Sequence, residues 1–243
     1  MKSLEADVVV IGGGSTGVGV VRDAAMRGYR AVLLERADLG QGTTARFHGL
    51  LHSGGRYVVS DPQSATECAE ENAILKRIQA DAVEDTGGFF VVTPGDDPGF
   101  ADKFLAGAAA TGVPAREIAV AEALRREPLL NPGILRAIEV EDGSVDGWQL
   151  VWGAARSAQA YGATVLTYHK VVGIERERDR VSAVLARDVK GGEDVRINCG
   201  FVLNCAGPWA GQVAALAGLH DVNVVAGRGI MVAMNHRLVN TVI

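Results

Sequence analysis

Four residues near the start of the chain have the types and spacing that grip an adenine dinucleotide: Gly12, Gly14, Gly17 and Glu35. Gly12 allows a tight turn out of a strand, Gly14 lets the backbone approach a pyrophosphate, and Gly17 lets a helix lie close on the strand. Ser15 and Thr16 open that helix, where unpaired N–H groups and the positive end of the helix dipole favour phosphate. Glu35 stands 18 residues after Gly17, close to the ~20 expected of an acid that accepts hydrogen bonds from ribose hydroxyls. An acid rather than an arginine at that place disfavours a 2′-phosphate, so the ligand reads as FAD or NAD rather than NADP. Arg36 follows directly and joins the cofactor-binding set.

The elements that must position these residues follow from the apolar pattern. Val8 to Ile11 is an all-apolar run and predicts a buried strand, Ser15 to Arg27 a helix stopped by Gly28, and Ala31 to Leu34 a second buried strand. Asp61-Pro62 opens a helix running to about Ala80. Phe89 to Val92 is a strand, Asp97-Pro98 begins a helix closed by Gly112, Glu117 to Arg126 is a short helix, and Ile134 to Val140 is a strand. Asp142 to Asp146 reads as a turn, with Asp146 capping a long helix to Tyr161. Three β-runs follow, 163–169, 171–175 and 181–189. The alternating charges of Glu175 to Arg180 make a solvated hairpin tip, and Lys190 to Glu193 a turn. Phe201 to Asn204 is a buried strand leading to Gly207 and a small-residue helix, and Val222 to Met234 again reads as strand.

The fold class is α/β: a Rossmann-like dinucleotide domain with an inserted α+β substrate domain. The first domain takes residues 1–87 and 147–221, and the second, incomplete, takes 88–146 and 222–243. The late apolar strand ending near Gly207 brings a second backbone turn to the cofactor. That favours FAD, a long molecule contacted along its whole length.

At 243 residues with 48% hydrophobic and 22% charged residues, the chain has an ordinary globular composition. Its net charge of −5 argues against nucleic acid as a partner. No apolar run approaches the ~20 residues of a transmembrane segment, and Lys2, Glu5 and Asp7 exclude a signal peptide. The expected location is cytoplasmic, with peripheral docking on the inner face of the cell membrane left open. Cys68, Cys199 and Cys205 form no C-x-x-C and read as buried small side chains. His48 and His52 are four apart, but no third ligand accompanies them and the glycines oppose a helix, so no metal site is expected. His169, His220 and His236 read as ordinary surface or strand residues.

The block from Gly42 to Tyr57 is the second specific feature: Gly42-Thr43-Thr44-Ala45-Arg46-Phe47-His48-Gly49-Leu50-Leu51-His52-Ser53-Gly54-Gly55-Arg56-Tyr57. It resembles the loop after the second strand in FAD-dependent glycerol-3-phosphate dehydrogenases, a branch of the D-amino-acid-oxidase-like flavoproteins. Asn72-x-x-Leu75-Lys76 and Asp142-Gly143-Ser144-Val145-Asp146 make it most similar to the A-type subunit of the anaerobic branch. Asn204-Cys205-Ala206-Gly207-Pro208-Trp209 matches the late FAD-contacting turn. Family members are much longer, so the chain is expected to be an N-terminal portion or a truncated product.

The resemblance implies FAD as cofactor. It places Gly42, Thr43, Thr44, His48, Gly49, Leu50, Val171, Ala206, Gly207 and Trp209 among the residues that hold it. The implied reaction oxidises sn-glycerol 3-phosphate to dihydroxyacetone phosphate by hydride transfer from C2 to flavin N5. The electrons then pass to the quinone pool, directly or through partner subunits. Arg56 suits a substrate phosphate or developing oxyanion, Tyr57 a hydrogen bond to substrate, and His52 a proton acceptor. Arg228 is a further candidate facing the substrate. Two other readings stay open: an FAD enzyme for an amino or 2-hydroxy acid, with Arg56 on its carboxylate, and a truncated, non-catalytic chain.

Overall fold

The computed structural model of the protein describes residues 1–225, 227 and 229–243, so Arg228 lies outside the described residues. The chain divides into two compact units, Met1–Phe47 with Gly147–Met231, and His48–Asp146 with Val232–Ile243. The sequence pattern places the first cut after residue 87. Residues 48–87 cluster instead with the insert, because their strands and helix pair and pack there.

In chain order the first stretch contains β1 (Lys2–Glu5), β2 (Val8–Ile11), α1 (Ser15–Met26) and β3 (Ala31–Leu34). The insert contains β4 (Leu50–Leu51), α2 (Pro62–Ile78), β5 (Val83–Glu84), β6 (Gly88–Val92), α3 (Phe100–Thr111), β7 (Ala115–Ile118), α4 (Val120–Arg126), β8 (Arg136–Val140) and β9 (Gly143–Val145). The chain then returns with α5 (Gly147–Ala160), β10 (Thr164–Leu166), β11 (His169–Glu177), β12 (Arg180–Asp188), β13 (Asp194–Asn198), β14 (Phe201–Asn204) and α6 (Ala210–Ala215).

The first unit is built around a parallel sheet of order β10-β3-β2-β14. Its central strands are apolar at every position because both faces are covered. Val8, Val10 and Leu33 pack against Val18 and Val21 of α1 and Val151 and Ala155 of α5. The alternate residues Val9, Ile11, Val32 and Leu34 pack against Val184, Val195 and Ile197 of a second sheet, ordered β1-β13-β12-β11. The dinucleotide turn therefore sits at the carboxyl end of β2, between a helix layer and a second sheet.

Two glycines make that turn possible. Gly12 has φ +112°, and a Cβ there would lie 2.4 Å from the Cys205 carbonyl oxygen at the end of β14. A Cβ on Gly17 would lie 1.8 Å from the Gly12 carbonyl oxygen. The start of α1 thus rests on the turn with backbone against backbone, which only glycine permits.

The second unit holds an antiparallel sheet β6-β8-β7 and a small sheet β4-β9-β5. Phe104 and Ala108 of α3, Ala65 of α2, and Val92, Ile138 and Val140 of the sheet form its main core. Asp61 caps α2 by accepting the Ser64 N–H at 3.2 Å. The last residues return to this unit: Glu127, buried at 1% exposure, accepts the N–H groups of Asn240 and Thr241.

Several sequence expectations shift. Glu117 and Ile118 belong to β7 rather than to a helix, because Glu117 pairs across to Ile138 and its carboxylate takes two bonds from Arg136. Residues 143–145 form a strand rather than a turn, since β4 and β5 flank them on both sides. β1 carries no strong apolar pattern and forms because β13, itself paired with β12, supplies its ladder. The described residues of 222–234 form no strand and have no ladder partner. Cys199 is buried, and its thiol is pushed up to about 11 by that burial. Cys68 and Cys205 are only half-buried.

Replacing Gly17 by alanine forces the start of α1 off the turn. We expect Gly17→Ala to cost about 3 kcal/mol, read as a fall in the thermal unfolding midpoint, whereas Gly19→Ala, whose Cβ would meet nothing within 4 Å, leaves the midpoint near the parent value.

Candidate functional site

A cavity of about 740 Å³ opens in the first unit at the carboxyl ends of β2, β3 and β14, the place where open α/β sheets bind ligands. Gly12, Gly14, Ser15 and Thr16 form one wall, and Glu35 and Arg36 another. Gly42, Thr43 and Thr44 close a third side, and Val171, Ala206, Gly207 and Trp209 the fourth. Thirteen of the residues assigned to a cofactor from the sequence are thus brought around one space. Gly17 stands behind the lining, under α1.

Glu35 is the buttress of this site. Its Oε2 accepts the Gly13 N–H at 2.7 Å and its Oε1 accepts the Ala37 N–H at 2.8 Å. The carboxylate therefore ties the end of β3 to the glycine turn, and each oxygen keeps a lone pair for further donors. Thr44 Oγ1 accepts the Ser15 N–H at 3.1 Å, so the 310 turn Thr43–Arg46 meets the N-terminus of α1. The Arg36 guanidinium lies 4.0 Å from the centre of a Trp209 ring, a cation–π contact that joins the end of β3 to the late turn after β14.

The lining also includes residues that the sequence pattern does not single out. His169 and Lys170 line the cavity from the start of β11, and Gln212, Val213 and Leu216 from α6. The His169 ring Nδ1 lies 2.7 Å from the Thr167 carbonyl oxygen. The signal that could have found it was Val171, two residues on along the same strand.

His48, Gly49, Leu50, His52, Arg56 and Tyr57 belong to the second unit. Arg56 is exposed in the 310 turn Gly55–Tyr57, and no ion pair among the described residues engages it. Tyr57 is half-buried against the core around Phe104. The rings of His48 and His52 meet edge to face with centroids 5.1 Å apart. Burial first, then the neighbouring His52 and Arg56 charges, lowers the His48 pKa, so this imidazole is held neutral.

Beneath them lies a cluster that centres on Asp142, 3% exposed between β8 and β9. The Ser53 N–H and hydroxyl both donate to Asp142 Oδ1 at 2.6 Å. His52 Nδ1 faces Asp142 Oδ2 at 3.6 Å. Burial, the largest influence, pushes the Asp142 carboxyl up. The approach of His52 and the two Ser53 bonds more than offset it and hold the group below the ordinary carboxylate range. Asn72, 4% exposed on α2, donates to the Leu51, His52 and Glu141 carbonyls. Lys76 adds a bond to the Glu141 carbonyl at 2.9 Å.

Among the described residues, no group of three or more His, Cys, Asp or Glu is arranged to hold a metal. No helix among them is long and apolar enough to cross a membrane.

A glycine turn at the carboxyl end of β2, a helix N-terminus facing the cavity and an acid at the end of the next strand define a dinucleotide-binding oxidoreductase. Residues 7–241 match the model of the DAO family, described as FAD dependent oxidoreductase. The chain belongs to this family, and its cofactor is FAD. Over 97% of its length it is 44% identical to the A1-type subunit of anaerobic glycerol-3-phosphate dehydrogenase from Haloferax volcanii, and 41% identical to the A-type subunit of the Escherichia coli K12 enzyme of that name. The chain spans 42% and 43% of the lengths of these relatives. Among solved structures, an L-proline dehydrogenase from P. horikoshii is similar over 89% of this chain and 57% of its own, with a TM-score of 0.78 and 25% identity.

The residues present fit the cofactor. The cavity is of ligand size, a glycine turn and helix N-terminus suit the pyrophosphate, and Glu35 suits the ribose. We expect Glu35→Gln to weaken FAD binding by about tenfold or more, because a charge-assisted bond to the turn is lost, measured by quenching of flavin fluorescence. For Asp142, the folded carboxyl binds its proton more weakly than the unfolded one. Its stabilisation is complete above the unfolded value of about 3.9 and is lost as pH falls through the lower folded value. The stability difference between the parent and Asp142→Asn should therefore shrink as pH falls below about 4, read from urea midpoints above and below that value.

Proposed function

We propose that this protein oxidises sn-glycerol 3-phosphate at C2 to dihydroxyacetone phosphate, and that the electrons pass to a quinone directly or through partner subunits. The observation that carries this reading is the 44% and 41% identity to the two anaerobic glycerol-3-phosphate dehydrogenase chains over 97% of this one. FAD, when bound, supplies the two-electron sink for the hydrogen leaving C2.

The chain's own residues divide the remaining work. The N-terminus of α1, with Ser15 and Thr16, neutralises the cofactor pyrophosphate, and Glu35 orients the ribose. Arg56, exposed and without an ion pair among the described residues, offers a permanent positive charge and a forked donor set to the substrate phosphate. Tyr57 adds a hydrogen bond, and His52 accepts the proton released from the C2 hydroxyl. The family resemblance also assigns His48, Gly49 and Leu50 of the second unit to the flavin, and a peripheral position at the inner face of a cell membrane suits delivery to a quinone.

A second reading takes an amino acid as substrate, with Arg56 on its carboxylate. The similarity to an L-proline dehydrogenase structure favours that one.

Anaerobic titration separates the two. The flavin absorbance of the holoenzyme should bleach with sn-glycerol 3-phosphate and stay unchanged with L-proline or a 2-hydroxy acid. Arg56→Ala should raise the half-saturating glycerol 3-phosphate concentration by about a hundredfold, the worth of a lost charge-assisted phosphate contact. Bleaching by proline alone would overturn the assignment.

A further inference from the structure

The Nδ1 atom of His52 is shut off from solvent and has no hydrogen-bond partner within bonding distance. The acceptor that faces it is Asp142 Oδ2 at 3.6 Å. The other oxygen of that carboxylate is already occupied, since Oδ1 takes both the N–H and the hydroxyl of Ser53. A carboxylate can only accept, so a ring nitrogen directed at it carries the proton, and in the neutral ring the opposite nitrogen bears the lone pair. A small turn of the imidazole converts this approach into a bond and removes the cost of an unpaired buried donor.

Other charged groups around the pair do not compete for Nδ1. His48, from the same segment, meets His52 ring to ring, and its own Nδ1 accepts the Leu50 N–H at 3.1 Å. Arg56, also from that segment, is a donor. On α2, Lys76 is engaged by Asp85 and the Glu141 carbonyl, and the Cys68 thiol is held protonated by burial, with lesser contributions from Glu67, Asp142 and Asp61. Glu141 is exposed and contributes its carbonyl to Asn72 and Lys76. Asn72 ties the His52 carbonyl to that of Glu141, the residue before Asp142, so the histidine loop and the aspartate turn are set against each other by backbone as well as side chain.

We propose that Asp142 is a positioning residue: it holds His52 in the Nδ1–H form, which leaves Nε2 as the atom that accepts a proton. The use of that atom in alcohol oxidation rests on the function proposed above, whereas the tautomer itself does not. The logic is that of a base oriented by a third, buried acid.

The test is Asp142→Asn in the full chain with FAD bound. Asparagine keeps an oxygen for the two Ser53 donors but turns an N–H2 group toward the ring, so the loop is retained while the preferred tautomer reverses. With 15N-histidine labelling at alkaline pH, and His52→Gln to identify the signal, the parent should show His52 protonated at Nδ1. The asparagine variant should show the proton moved to Nε2. Ser53→Ala, which removes one Asp142 bond but leaves the carboxylate facing the ring, should keep the parent tautomer. The rate of flavin reduction by sn-glycerol 3-phosphate should fall at least about tenfold in Asp142→Asn with little change in half-saturation.

A parent protein protonated at Nε2, or an asparagine variant with the tautomer unchanged, overturns the proposal. A reversed tautomer in a holoenzyme that glycerol 3-phosphate never reduces supports the role of Asp142 and overturns the substrate assignment alone.

Discussion

The first unit depends on one crowded point, where the carbonyl of Gly12 meets Gly17 and the carbonyl of Cys205 meets Gly12. Three segments distant in sequence end there: β2 leaves the sheet, α1 begins, and β14 arrives. Side chains at either glycine would hold these segments apart by a carbon atom's width. Their absence lets the free N–H groups of α1 open onto the end of the parallel sheet. The position of the cavity follows from this packing, and so does its sign, because a helix N-terminus attracts anions.

Glu35 extends that constraint sideways. Its two backbone bonds, to Gly13 and Ala37, make one carboxylate both a structural strap for the turn and an acceptor poised over the cavity. Arg36 and Trp209 do the same on the other side, joining β3 to the turn after β14. Residues that hold the walls are thus largely those that would touch the ligand, so the geometry is set before anything binds, and binding then needs little reordering.

The second unit solves a different problem with a buried charge. Asp142 is nearly inaccessible, and a carboxylate in such a place is stable only when its acceptor sites are filled. Ser53 fills one oxygen and the His52 ring stands at the other. The arrangement couples the fold of the loop to the proton state of the histidine, so a group needed for packing also selects which ring nitrogen is available for chemistry. In the proposed function, proton removal from an alcohol and dinucleotide binding are separate tasks, the first assigned to residues of the second unit and the second to residues of the first.

Much of this was legible from residue types alone. The βαβ opening, the glycine turn and Glu35 follow from local rules: an all-apolar strand is buried on both faces, and a glycine marks where backbone must approach backbone. Asp61 as a cap and Gly112 as a helix stop are equally local. What escaped were features that exist only through a partner elsewhere in the chain. β1 is polar enough to look like a loop until it pairs with β13, residues 143–145 become a strand only because β4 and β5 flank them, and Glu117 is held in β7 by Arg136. The membership of residues 48–87 in the second unit, and the burial of Asp142 opposite His52 across a separation of 90 positions, likewise depend on long-range packing. Sequence determines what each residue can do within its own turn or strand, whereas only the folded chain decides which distant groups share a hydrogen bond, because that choice is made by the burial of whole elements against one another.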